Sequence, residues 1–156
     1  MKQHSPRFLQ LVQQARQRIR ELTVEQVCEK FRAGHRFFLI DVREESEYSR
    51  DHLPGAIHLS KGIIERDIEK LIPDCTAEIV LYCGGGYRSA LAADNLQKMG
   101  YSNVWSMWGG YRAWKEAGLP LEPGLHGEIT PAAPDTPSGV TTPAPGCGET
   151  RQAAPT

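Results

Sequence analysis

The sequence predicts an α/β protein: a parallel sheet with helices on both faces. Three observations predict it. Short apolar runs alternate with amphipathic stretches at strand–helix spacing along the middle of the chain. Those runs, such as Phe37-Phe38-Leu39-Ile40 and Ile79-Val80-Leu81-Tyr82, are continuous, as expected of strands buried on both sides. Most of the amphipathic stretches carry helix start or stop signals.

The elements follow in order. Pro6, after a potential Ser5 cap, opens a stripe of Phe8, Leu11, Val12, Ala15, Ile19 and Leu22. This spacing predicts an amphipathic N-terminal helix within residues 1–22, laid on a core or partner, with its arginines solvated. Residues 1–22 carry a net charge of +4 but no unbroken apolar stretch, so no export signal is read and a cytoplasmic location is expected. Arg-rich, acid-poor starts also occur in transit peptides, but the stripe favours a packing helix. Thr23 with Gln26 forms a capping-box pattern before Val24, Val27, Cys28 and Phe31, a helix running to Gly34. Strand Phe37–Ile40 is followed by a short helix over Glu44–Arg50. A short strand over Ala56–Leu59 follows the Pro54-Gly55 turn.

Ile63–Leu71 reads as a helix stopped by Pro73, and Ile79–Tyr82 as the most apolar strand. Ser89–Met99 reads as a helix closed by Gly100, Val104–Met107 as a strand and Tyr111–Ala117 as a final helix closed by Gly118. Residues 23–122 are thus expected to form one domain. From Pro123 to Thr156, 7 Pro and 5 Gly replace the large apolar residues, and such a composition predicts a disordered tail.

The balance of 18 basic and 19 acidic residues provides no field for nucleic acid. No apolar run reaches the ~20 residues of a spanning helix, so neither nucleic acid nor membrane is an expected partner. Cys28, Cys75, Cys83 and Cys147 lack CxxC spacing and suggest neither a zinc site nor a disulfide framework. Cys28 reads as part of a helix stripe and Cys75 as a loop residue.

Cys83 is different. In an open parallel sheet, ligands bind beyond the carboxyl ends of the strands, and there the chain reads Cys83-Gly84-Gly85-Gly86-Tyr87-Arg88-Ser89. Glycines let the backbone curl so that several N–H groups converge, at the mouth of a helix whose dipole favours negative charge. Such a cradle favours the thiolate of Cys83. Arg88 adds a planar, bidentate cation for an oxyanion, with Lys61 and Arg66 as alternatives. A lone cysteine is usually a small buried hydrophobe, and a glycine-rich turn usually cradles phosphate. No Lys-Ser/Thr or GxGxxG accompanies these glycines, however.

Four motifs stand in order: Asp41-Val42-Arg43-Glu44, Glu47 with His52-Leu53-Pro54-Gly55-Ala56-Ile57-His58, Cys83–Ser89, and Gly109-Gly110-Tyr111-Arg112-Ala113-Trp114. By these the chain resembles the rhodanese-like sulfurtransferase family over roughly Leu22 to Leu121. Asp51 stands where such proteins commonly have glycine, which bears on the turn rather than the chemistry. The resemblance implies a rhodanese-like fold with about five parallel strands. It implies that Cys83 alternates between thiolate and persulfide, taking sulfane sulfur from a donor such as thiosulfate and passing it to cyanide or a thiol, including a thiol-bearing acceptor protein. The amides of Gly84, Gly85, Gly86, Tyr87 and Arg88 would hold the transferred sulfur, and Arg88 would orient the donor. No metal or organic cofactor is implied. Asp41 and Arg43 read as structural, and Trp108 and Trp114 as packing or pocket wall.

Two alternatives share the fold. Related phosphatases place five residues between cysteine and arginine, against four here. Non-catalytic rhodanese-like modules usually lack the cysteine, which this chain keeps. Cys147, flanked by Gly146 and Gly148, would enter only as an acceptor swung in on the tail.

Overall fold

The structure, a computed structural model, describes residues 3–124. The chain runs α1 (Pro6–Arg16), β1 (Arg20–Leu22), α2 (Val24–Arg32), β2 (Phe38–Asp41), α3 (Glu45–Arg50), β3 (Asp51–His52) and β4 (Ile57–His58). It continues with α4 (Ile64–Leu71), β5 (Ile79–Tyr82), α5 (Tyr87–Lys98), β6 (Val104–Met107), α6 (Gly110–Glu116) and β7 (Glu122–Pro123). Five strands pair in parallel in the order β1-β6-β5-β2-β4, with β5 at the centre.

The continuous apolar runs are explained by two cores, one on each face. Ile79 and Leu81 of β5 point with Phe38 and Ile40 of β2 towards Ile64 and Ile68 of α4 and Ala92, Ala93 and Leu96 of α5. Val80, Tyr82 and Leu39 point the opposite way, into Val27 and Phe31 of α2 and Trp114 of α6. Strand side chains alternate across the sheet, so a strand sandwiched by helices is apolar on both faces except where a buried polar group is hydrogen-bonded, as Asp41 and Ser106 are. The Thr23–Gln26 capping box forms as expected, each side chain bonded to the other residue's backbone N–H at 3.1 and 2.8 Å.

Three departures from the sequence expectation go beyond a one-residue shift. The N-terminal helix stops at Arg16, and Ile19 and Leu22 leave it for a turn and for edge strand β1. Ile19 packs on one core and Leu22 on the other, so burial continues the helical spacing after the helix has ended. Residues 20–22 therefore complete the sheet, pairing with Trp105–Met107, and the sheet starts ahead of position 23. α5 begins at Tyr87, two residues early, because Gly86 caps it with φ +107°.

The third difference is a small antiparallel pair, β3 with β7, that joins Asp51–His52 to Glu122–Pro123. The expected tail boundary at Pro123 thus falls inside a strand. Gly124 follows so closely that a Cβ there would lie 2.1 Å from the Ser49 carbonyl oxygen. The rest of the expected tail, Cys147 included, lies outside the described residues. A chain ending at Gly124 is expected to melt with the full-length protein. One ending at Leu121 loses the β3–β7 pairing and the Gly55 N–H to Glu122 Oε1 bond (3.1 Å), which should cost roughly 1–2 kcal/mol. Equal melting temperatures for the two truncations would contradict a stabilising role for β7. Among the described residues, no helix is long and apolar enough to cross a membrane.

Candidate active site

The loop after β5 lies at the carboxyl edge of the central strand. Cys83 is buried, and its Sγ accepts hydrogen bonds from the backbone N–H groups of Gly86 (3.2 Å) and Ser89 (3.3 Å). Ser89 Oγ lies 3.6 Å from the sulfur and 2.8 Å from Ser106 Oγ on β6, and both hydroxyls are fully buried.

The loop curls because its carbonyls are drawn outward. The carbonyls of Cys83, Gly84 and Gly85 accept from the N–H groups of Tyr111 (2.7 Å), Arg112 (3.0 Å) and Gly109 (3.1 Å), the entry to α6. The amides of Gly84, Gly85, Tyr87 and Arg88 have no acceptor among the described residues, and these four residues line a cavity that reaches Cys83. A row of free donors above a sulfur is an anion cradle.

The three glycines are not equivalent. Gly86 requires its left-handed φ, and a Cβ there would lie 2.8 Å from the Trp108 ring. At Gly84 a Cβ would come 3.1 Å from the Arg88 Nη2 atom, whereas Gly85 has room, with Arg112 3.8 Å away.

Arg88 reaches the cavity but is engaged. Its guanidinium bonds Glu47 at 3.0 and 3.4 Å. Burial works against its charge, yet the hydrogen bonds it donates to Glu47, together with the nearby Cys83 sulfur, raise its pKa above the ordinary value. Burial would raise the Glu47 pKa, but the bonds from Arg88 and from the Glu44 amide hold it below the usual carboxylate range. The expected alternatives Lys61 and Arg66 do not line this cavity. Arg66 pairs with Asp67 beside a separate groove. The cations that do line it are Arg43, Arg50, Arg88, Arg112 and Lys115.

Arg43 is fixed from behind. Its buried guanidinium pairs with Asp41 (2.8–3.1 Å), donates to the Asp51 carbonyl (2.7 Å) and lies 4.3 Å from the centre of the Tyr111 ring. Asp41 also accepts from the Tyr82 hydroxyl at 2.7 Å. Asp51 sits comfortably where glycine was expected: its backbone is extended, and its carboxylate accepts from the Tyr111 hydroxyl (2.8 Å). Trp114 is buried core, and Trp108 packs over Gly86 and beneath the Arg16 guanidinium.

The loop residues expected at the site are therefore together. Sequence reasoning missed the Glu47–Arg88 pair, Ser106, and the wall supplied by Phe8 of α1 and by His4 just before it. Gly109-Gly110 carried a usable signal: like Gly86, these glycines stand between a strand and a helix. Among the described residues, no cluster of His, Cys, Asp or Glu is arranged to hold a metal ion.

A family model described as Rhodanese-like domain matches residues 23–117. Over 96 residues the chain is 32% identical to a putative sulfur carrier protein of Bacillus subtilis, covering 62% of this chain and 51%, about half, of that relative. It is 32% identical over 103 residues to a thiosulfate sulfurtransferase of Haemophilus influenzae, covering 66% of this chain and 94% of the relative. Among solved structures, a Rhodopseudomonas palustris protein titled as of unknown function, "Possible Tyrosine Phosphatase", superposes with a TM-score of 0.66 at 29% identity. That match covers 78% of this chain and 99% of the other.

Proposed function

The chain belongs to the rhodanese-like domain family, and from that premise we propose that it is a sulfurtransferase carrying sulfane sulfur as a persulfide on Cys83. One observation carries this reading. The Cys83 sulfur lies under two donating amides, beside four residues whose amides are free, at the end of a cavity lined by five cations. That arrangement suits an anionic sulfur before transfer and a longer anionic chain, Cys83–S–S⁻, after it.

The reaction balances without a cofactor. The Cys83 thiolate attacks the outer sulfur of thiosulfate, the S–S bond breaks, and sulfite leaves with the electron pair. Cyanide or a thiolate, free or on an acceptor protein, then takes the outer sulfur and returns Cys83 to thiolate. The amides of Gly84 to Arg88 hold the outer sulfur in between, and Arg88 orients the anionic donor. The test is the mass of Cys83 peptides after thiosulfate treatment, with thiocyanate counted after cyanide addition. A one-sulfur adduct and one thiocyanate per chain are expected. An unmodified Cys83 would overturn the reading.

Arg88→Ala should weaken thiosulfate use roughly 10- to 150-fold in kcat/KM, since a charge-assisted contact contributes about 1.5–3 kcal/mol. Arg88→Lys should recover only part, because an ammonium cannot keep the forked contact that Glu47 now matches. Near-parental kinetics in both variants would transfer the donor site to Arg112 or Arg50. The four-residue spacing between Cys83 and Arg88 argues against phosphatase chemistry, so no release of phosphate from an aryl phosphate is expected.

A further inference from the structure

α1 lies outside the residues matched to the family, yet it walls the cavity over Cys83. His4 and Phe8 face Tyr87 of the loop edge-on, with ring centroids 4.5 and 6.3 Å away, and Tyr87 in turn meets Trp108 at 5.5 Å. The wall is anchored. Val12 and Ala15 are buried, the Arg16 guanidinium stands 3.6 Å from the centre of the Trp108 ring, and Arg18 grips Asp94 of α5 at 3.0 and 2.8 Å.

The cavity holds about 1090 Å³. Volumes of roughly 300–1,000 Å³ enclose organic molecules of drug size, whereas thiosulfate has five heavy atoms. Arg50, Arg112 and Lys115 line the same cavity and have no carboxylate partner among the described residues. Glu44, Asp51 and Glu116 line it too, but three cations without a carboxylate partner beside aromatic rings suit an anion with an organic body.

We propose, resting on the sulfur-transfer reading above, that His4 and Phe8, which lie outside the family match, together with Tyr87 select among organic sulfane donors, R–SO₂–S⁻ or R–S–S⁻, by holding a planar or apolar R group. Cys83 attacks the terminal sulfur, the S–S bond breaks, and the organic sulfinate or thiolate departs with the electron pair. The persulfide left on Cys83 is the same as that formed from thiosulfate.

Two probes isolate the R group: benzenethiosulfonate and methanethiosulfonate, assayed by thiocyanate release in cyanide. The readout is the ratio of their kcat/KM values, which is insensitive to the fraction of protein folded. Intrinsic reactivity cancels when variants are compared with the parent. Phe8→Ala and His4→Ala are each expected to lower the benzene-to-methane ratio about three- to tenfold, the scale of one lost aromatic contact. Ratios equal to the parent's in both variants would overturn the proposal while leaving sulfur transfer intact. Absence of thiocyanate with both donors in the parent would overturn sulfur transfer itself, and this donor preference with it.

Discussion

A Cys83→Ser protein is expected to fold as the parent does and to turn over thiosulfate and cyanide at less than about one per cent of its rate. The two side chains are nearly isosteric, and the buried oxygen can still accept from the Gly86 and Ser89 amides that now meet the sulfur at 3.2 and 3.3 Å. No cavity or orphaned donor is created, so melting temperature should hold. Chemistry should not. A serine hydroxyl is not ionised near neutral pH and cannot form the S–S bond that carries the transferred atom. Cys75, the other free cysteine among the described residues, is exposed and does not line the cavity. Parental turnover in a folded Cys83→Ser protein, measured by thiocyanate release, would move the carrier to another thiol.

Gly110→Ala should cost both stability and activity, although residue 110 bears no chemistry. Its φ is +55°, and a Cβ would lie 2.3 Å from the Cys83 carbonyl oxygen and 2.9 Å from the Gly84 carbonyl carbon. These neighbours are backbone, so no rotamer change relieves the clash; either α6 or the Cys83 loop must move. Movement breaks the Tyr111-to-Cys83 (2.7 Å) and Arg112-to-Gly84 (3.0 Å) bonds that turn the loop carbonyls outward. A loss of about 3–5 kcal/mol is expected, with a melting point lower by about 10 °C or more. Sulfur transfer should fall by about a hundredfold, as a misplacement near 1 Å does to a positioned reactant. Gly100→Ala is the control: its φ is also positive, but nothing lies within 4 Å. It should lose only the ~1–2 kcal/mol of a left-handed alanine. Matching behaviour of the two variants would refute close approach as the reason for Gly110.

The sequence by itself determined what local pattern can encode. Continuous apolar runs specified β5 and all but the last residue of β2, because a strand covered on both faces buries every side chain; the polar exceptions, Asp41 of β2 and Ser106 of β6, are bonded to Arg43 and Tyr82 and to Ser89. Thr23 with Gln26 specified the start of α2 through bonds three residues apart. Cys83, its glycines and Arg88 were legible as one loop because they are contiguous. The tertiary structure alone decided what depends on distant partners. Ile19 and Leu22 keep a helical spacing and leave the helix only because Trp105–Met107, more than eighty residues away, offers an open sheet edge. β3 and β7 are two-residue strands with no apolar period, and each exists because the other does. Whether Arg88 stands alone or bonded to Glu47, and whether α1 ends on solvent or on the cavity wall, likewise follows from packing between segments. Periodicity reports which side of an element is buried. It carries no information about which surface does the burying, since any apolar face of similar shape satisfies the same pattern.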